Sequence, residues 1–166
     1  GNPNMWVNSQ SDHLSVTNTL FYGAYIQLRP GANNVSNTII KDCVFLEGHG
    51  DGIKTSSSDI TGCKNFLLTN NIWISHIRDA VDTTGYFQSS IVDGDVFYNG
   101  KVSAFDLKSH PKSEDDKDED YLNKDVTIKN CKFYESQNAI VCTTEDRSDV
   151  MTDPAVAAQY CVQEIY

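Results

Sequence analysis

Asn65–Gly85 reads NFLLTNNIWISHIRDAVDTTG, and the segment before it, Asn37–Ser57, reads NTIIKDCVFLEGHGDGIKTSS. Laid over one another they share a pattern rather than an identity: an aliphatic residue, a small polar residue two places on, an aromatic three places after that, then a short apolar strand. Two further segments keep the same phase, Ser89–Ser109 (SSIVDGDVFYNGKVSAFDLKS) and Asp125–Glu145 (DVTIKNCKFYESQNAIVCTTE), and Leu14–Leu28 (LSVTNTLFYGAYIQL) is a shorter copy. The aromatic column is Phe21, Phe45, Trp73, Phe97 and Phe133. Five residues earlier stand Val16, Ile40, Leu68, Val92 and Ile128. Three residues before the aromatic stand Asn18, Asp42, Asn70, Gly94 and Asn130. Five to eight residues after it stand Ile26, Ile53, Val81, Phe105 and Ile140.

A unit of this length cannot bury its apolar side chains alone, and stacking identical units puts like residue over like. Asn, Asp and Gly suit bends because they tolerate left-handed backbone angles. A leucine-rich repeat would need a regular Leu pattern, and a β-sandwich would not phase-lock its strands. The sequence therefore predicts an all-β fold, a right-handed single-stranded parallel β-helix of about five coils over residues 14–145, with a cap over 146–166, in one domain spanning 1–166. Thr152-Asp153-Pro154 is a helix start, so a short capping helix is expected from Ala155 to Gln163. That helix would bring Cys161 towards Cys142.

Successive aromatics are 24, 28, 24 and 36 residues apart. The long intervals place insertions at Ser57–Lys64 and His110–Lys124, both leaving after the third strand of a coil and so on the same side. The second is acidic, but it lacks the glycine of an EF-hand loop and reads as a solvated loop. The other cysteines, Cys43, Cys63 and Cys131, form no CxxC pair and read as buried thiols. The net charge of −10 argues against a nucleic-acid partner. No run of 18 apolar residues offers a transmembrane helix. The chain opens at Gly1 without Met and without a visible signal peptide, which suggests a mature or trimmed form.

Side chains alternate along a strand. In the third strand of each coil, Ile53, Val81, Phe105 and Ile140 point inward. Their successors Gln27, Lys54, Asp82, Asp106 and Val141 form an outward row, with coils about 4.8 Å apart. Asp51 and Asp79 form a second row, and Lys108 follows Asp106 by two residues. Carboxylates crowded in this way need a raised pKa, lysine partners or a bound cation. Calcium suits hard oxygen ligands, and Asp51, Asp79, Asp82 and Asp106 are the candidate set. His49, His76 and His110 read as surface histidines.

The Asp51…Asp79-x-x-Asp82 arrangement on successive coils resembles the calcium-dependent pectate lyases, over roughly Asn37–Glu145. Where that pattern has a second Asp beside Asp79, this chain has Arg78, and the place expected to carry a lysine holds Asp106. The resemblance implies a secreted enzyme that binds calcium and an acidic polysaccharide. It would abstract the C5 proton of a uronate with Lys108 or Lys54 and cleave by β-elimination, with Arg78 on a substrate carboxylate. A monomer without nucleic-acid or membrane partners is expected. Two other readings stand beside it. One is a glycoside hydrolase or C5-epimerase on the same fold. The other is a non-catalytic glycan-binding, adhesive or structural module using Tyr25, Tyr98 and Tyr134.

Overall fold

The computed structural model describes residues 13–23, 26–28, 36–56, 63–84, 87–109, 124–144 and 164–165. Every element among them is a β-strand, and every strand pairing is parallel. The chain visits three sheets in rotation. The first holds β1 (Ser15–Thr17), β4 (Ile39–Lys41), β8 (Leu67–Thr69), β11 (Phe87–Asp93), β14 (Lys124–Lys129) and β17 (Glu164–Ile165) in that order, with β7 (Cys63–Lys64) also on β11. The second holds β2 (Leu20–Tyr22), β5 (Val44–Leu46), β9 (Ile72–Ile74), β12 (Val96–Tyr98) and β15 (Lys132–Tyr134). The third holds β3 (Ile26–Leu28), β6 (Ile53–Ser56), β10 (Val81–Thr84), β13 (Ser103–Ser109) and β16 (Asn138–Thr144). Each strand thus pairs with its counterpart one repeat away, a connectivity compatible with the parallel β-helix expected from the repeat.

The register reproduces the columns read from the sequence. Val16, Ile40, Leu68, Val92 and Ile128 stand opposite one another, and Ile165 adds a further place to that row. Ile26, Ile53, Val81, Phe105 and Ile140 do the same in the third sheet. The aromatic column stacks face to face: Phe21 on Phe45 at 4.6 Å, Phe45 on Trp73 at 3.9 Å, Trp73 on Phe97 at 5.8 Å, and Phe97 on Phe133 at 5.2 Å. Each such pair contributes about 0.5–1.5 kcal/mol beyond the area it buries.

The bends also follow the sequence. Asn18, Asp42, Asn70, Gly94 and Asn130 all have positive φ, between 52° and 77°. Two more left-handed columns mark the other corners: Asn37, Asn65, Ser89 and Asp125, then Gly23, Glu47, Ser75, Asn99 and Glu135. Each lets the chain turn a corner without breaking the ladder on either side.

The insertions expected at Ser57–Lys64 and His110–Lys124 both follow strands of the third sheet, and their last residues, Cys63–Lys64 and Lys124, already belong to strands of the first. Residues 57–62 and 110–123 lie outside the described residues. The capping helix at Ala155–Gln163 and the approach of Cys161 to Cys142 also fall outside them. The C-terminal pair Glu164–Ile165 is a strand on β14, within the stretch expected to serve wholly as a cap.

A polar column runs inside the stack, two residues before each aromatic. The backbone N–H of Cys43 donates to Asn71 Oδ1 at 3.0 Å, and that of Asn71 donates to Asp95 Oδ1 at 2.8 Å. Asn71 Nδ2 donates to the Ile40 carbonyl at 3.0 Å, and Trp73 Nε1 to Asp95 Oδ2 at 2.9 Å. Asp95 is completely buried, and burial pushes its carboxyl up to about 6 against the bonds from Asn71 and Trp73. Burial likewise pushes the Cys131 thiol at the next place up to about 11, so it is a poor nucleophile.

Candidate metal site

The third sheet gathers the charged residues. Asp82 stands opposite Lys54 on β6 and opposite Asp106 on β13, the row that strand alternation predicts. Asp51 and Asp79 lie just before β6 and β10. Their backbones are fixed by the hydrogen bond of Gly52 N–H to the Asp79 carbonyl at 2.9 Å and of Ala80 N–H to the Ser103 carbonyl at 3.0 Å. Asp79 Oδ1 accepts from the Ser103 N–H at 3.0 Å.

Glycine at position 52 is what allows this approach. A Cβ there would sit 2.7 Å from the Ala80 carbonyl oxygen and 2.8 Å from both Trp73 and His76. At Gly48 a Cβ would lie 2.5 Å from His76 Nδ1. The imidazole of His76 therefore fills the space beneath the bend that carries Asp51.

Asp51, Asp79 and Asp82 are all buried, and each brings an oxygen within 4.8 Å of the other two. Lys54 Nζ lies among them, 2.6 Å from Asp82 Oδ2 and 3.1 Å from Asp51 Oδ2. Burial tends to lower the pKa of Lys54, but the hydrogen bond and charge of Asp82, joined by those of Asp51, outweigh it and raise the value. Lys54 is accordingly held as an ammonium. Asp79 is raised, first by burial and then by the charges of Asp106, Asp51 and Asp82, against the bond from Ser103.

Buried carboxylate oxygens converging from two coils are a donor set that suits a hard cation. The ammonium among them shows that the pocket already stabilises one positive charge. The residues present fit a metal ion, with the ammonium as the group it would displace.

The other expected site residues are placed as follows. Asp106 is half-buried beside the cluster but outside the set of converging oxygens. Arg78 is exposed, next in sequence to Asp79. Lys108 lies on β13 opposite Thr84, two residues beyond Asp106, and its side chain is outside the described residues. His49 is exposed, as expected, and His110 is not described.

His76 differs from its expected place at the surface. It is 2% exposed, and neither ring nitrogen has a hydrogen-bond partner. Burial lowers its pKa to about 4. The backbones of Gly50 and Phe45 and the charge of Asp51 pull the other way, without either backbone group reaching hydrogen-bond geometry. The sequence signal was its own column, in which the preceding place is Gly48, where a Cβ would overlap the imidazole. Tyr98 and Tyr134 are exposed and 6.3 Å apart, on the second sheet rather than beside the aspartates; Tyr25 is not described.

Comparison with known protein families, curated proteins and solved structures finds no match to this chain. The geometry of the aspartate cluster is what a functional reading has to stand on.

Proposed function

We propose that this chain is a right-handed parallel β-helix of the pectate-lyase type. We propose further that it acts as a secreted, calcium-dependent lyase, cleaving a uronic-acid polysaccharide by β-elimination. The observation that supports it is the convergence of the buried Asp51, Asp79 and Asp82 oxygens from successive coils. Those three would hold the ion, with Asp106 at its margin. A bound calcium would neutralise the uronate carboxylate and so make the C5 proton more acidic.

The remaining steps belong to the chain's own side chains. Lys108 takes the C5 proton as a neutral amine; the electron pair of that C–H bond forms the C4–C5 double bond, and the glycosidic oxygen departs from C4. Lys54 is the weaker base candidate, because its two carboxylate partners keep it protonated. Its part, once the ion has displaced it from Asp51 and Asp82, is to offer positive charge to an anionic substrate. Arg78, exposed beside Asp79, grips a neighbouring uronate through paired N–H donors. Both cations offset the repulsion that a chain of net charge −10 would otherwise exert on a polyanion.

The grouping of Asp79, Asp82 and Asp106, with Asp82 opposite Asp106 and the Asp79 pKa raised by burial, supports a second reading, hydrolysis by clustered aspartates. One assay separates the two. Polygalacturonate, alginate and glycosaminoglycans are incubated with the protein, with calcium and with chelator, following both ultraviolet absorbance and new reducing ends. A lyase raises both signals only with calcium, and loses them in Asp82→Ala and Lys108→Ala. A hydrolase raises reducing ends alone. No signal on any substrate, with no heat of calcium binding, rules out the enzyme and leaves a binding or structural module.

A further inference from the structure

The second sheet differs from the other two in what it turns outward. Phe21, Phe45, Trp73, Phe97 and Phe133 point into the stack, so the residues on either side of each point away. One outward column reads Tyr22, Leu46, Ile74, Tyr98 and Tyr134. The column beside it is aliphatic until its last place, Lys132. Leu20 is 63% exposed, Tyr22 61%, Tyr134 48%, Tyr98 44% and Ile72 41%.

We infer that this face is an interface with a second copy of the chain, in place of the monomer expected from the sequence. Size is the first argument. The most exposed side chains alone leave on the order of 500 Å² of apolar and aromatic surface in water, at the upper end of what a monomer presents in one patch. That is a large share of the roughly 800 Å² that each partner brings to a standard interface.

Charge is the second argument, and it selects the partner. The chain carries −10, and the described strands of the first and third sheets contain Asp93, Asp82 and Asp106 among other acids. The described strands of the second sheet contain no acidic residue. The acids nearest it, Glu47 and Glu135, stand at the corner that follows the strands, Glu47 on the Tyr22 hydroxyl, so two copies can approach through the strands of this sheet with less repulsion than through the other two. A foreign partner recognised by charge would find only Lys132. A two-fold axis through the face would lay each column against the same surface of the other copy, sheet on sheet at about 10 Å. The inference does not depend on the cation site, which belongs to the third sheet.

Sedimentation equilibrium tests it. The chain should show a monomer–dimer equilibrium that tightens as salt is raised, since screening removes the repulsion between the copies. Ile72→Glu combined with Tyr98→Glu should raise the dissociation constant at least tenfold while circular dichroism stays unchanged. Tyr134→Glu, on the last of the five strands, provides the same reading at less risk to folding. Ile91→Glu, on the exposed side of the first sheet, should leave the dimer intact. A chain that stays monomeric at every concentration and salt overturns the inference. So does a dimer indifferent to the changes at Ile72, Tyr98 and Tyr134, or a face protected from hydrogen exchange in the monomer by the chain's own residues.

Discussion

At the scale of single residues, the balance of charge around Lys54 decides how the cluster behaves. One ammonium, 2.6 Å from Asp82 and 3.1 Å from Asp51, serves a cluster of three converging buried carboxylates. Removing the ammonium leaves those carboxylates facing one another, while removing a carboxylate weakens the pocket for any cation. Lys54→Met should melt several degrees below the parent chain in chelator, and recover most of that loss in millimolar calcium while binding it more tightly than the parent. Asp82→Asn should bind calcium at least tenfold more weakly. Differential scanning calorimetry and titration calorimetry read both. A Lys54→Met chain that calcium fails to stabilise would mean that the carboxylates serve only to hold the lysine.

At the scale of elements, the bend from Glu47 to Gly52 links the core to the site. It wraps His76 from beneath and delivers Asp51 to the cluster, and the close approach of Gly52 to the Ala80 carbonyl and Trp73 leaves no room for a side chain. Gly52→Ala should cost about 1–3 kcal/mol by overpacking, measured by urea unfolding, and should weaken cation binding because Asp51 is displaced. Gly100→Ala, whose Cβ would meet Ser136 Oγ at 3.3 Å, should cost less and leave cation binding unchanged. Much of this element structure is legible in the sequence, because a stack forces like residues to recur in phase: the aromatic, aliphatic and Asn columns could be aligned before any strand was assigned. Asp82 illustrates where such reading stops. Alternation gives its side of the strand, opposite to Val81, but the crowding by Lys54 and Asp106 that leaves it 2% exposed depends on how neighbouring coils close over it. Cys43 is the buried thiol expected of it, but His76 and the buried Asn71 and Asp95 that continue the Cys43 column were missed for a related reason. A polar residue near a bend reads as solvated, although the fixed phase two residues before the aromatic marked Asn71 and Asp95 as inward-facing.

At the scale of the whole molecule, two buried titrating groups in neighbouring coils should set opposing pH dependences on stability. Asp95 titrates at about 6 in the folded chain, above the ordinary carboxylate value near 3.8. The folded state therefore keeps a proton that the unfolded state has released. Its contribution is fully present below about 3.8 and is lost as pH rises through about 6. His76 is lowered from near 6.5 to about 4, so the unfolded state takes up a proton that the folded state refuses. Its contribution is fully present above about 6.5 and is lost as pH falls towards about 4. Each amounts to roughly 3 kcal/mol at most over its window, and between about pH 4 and 6 the two slopes run against each other. Urea unfolding across that range should give a shallow profile for the parent chain. Asp95→Asn should leave only the histidine's contribution, so that stability climbs with pH. His76→Gln should leave only the carboxyl's contribution, so that stability falls with pH. Three parallel profiles would mean that neither group is as buried in solution as the stacked coils require, whereas divergence in the stated directions would place both inside the stack.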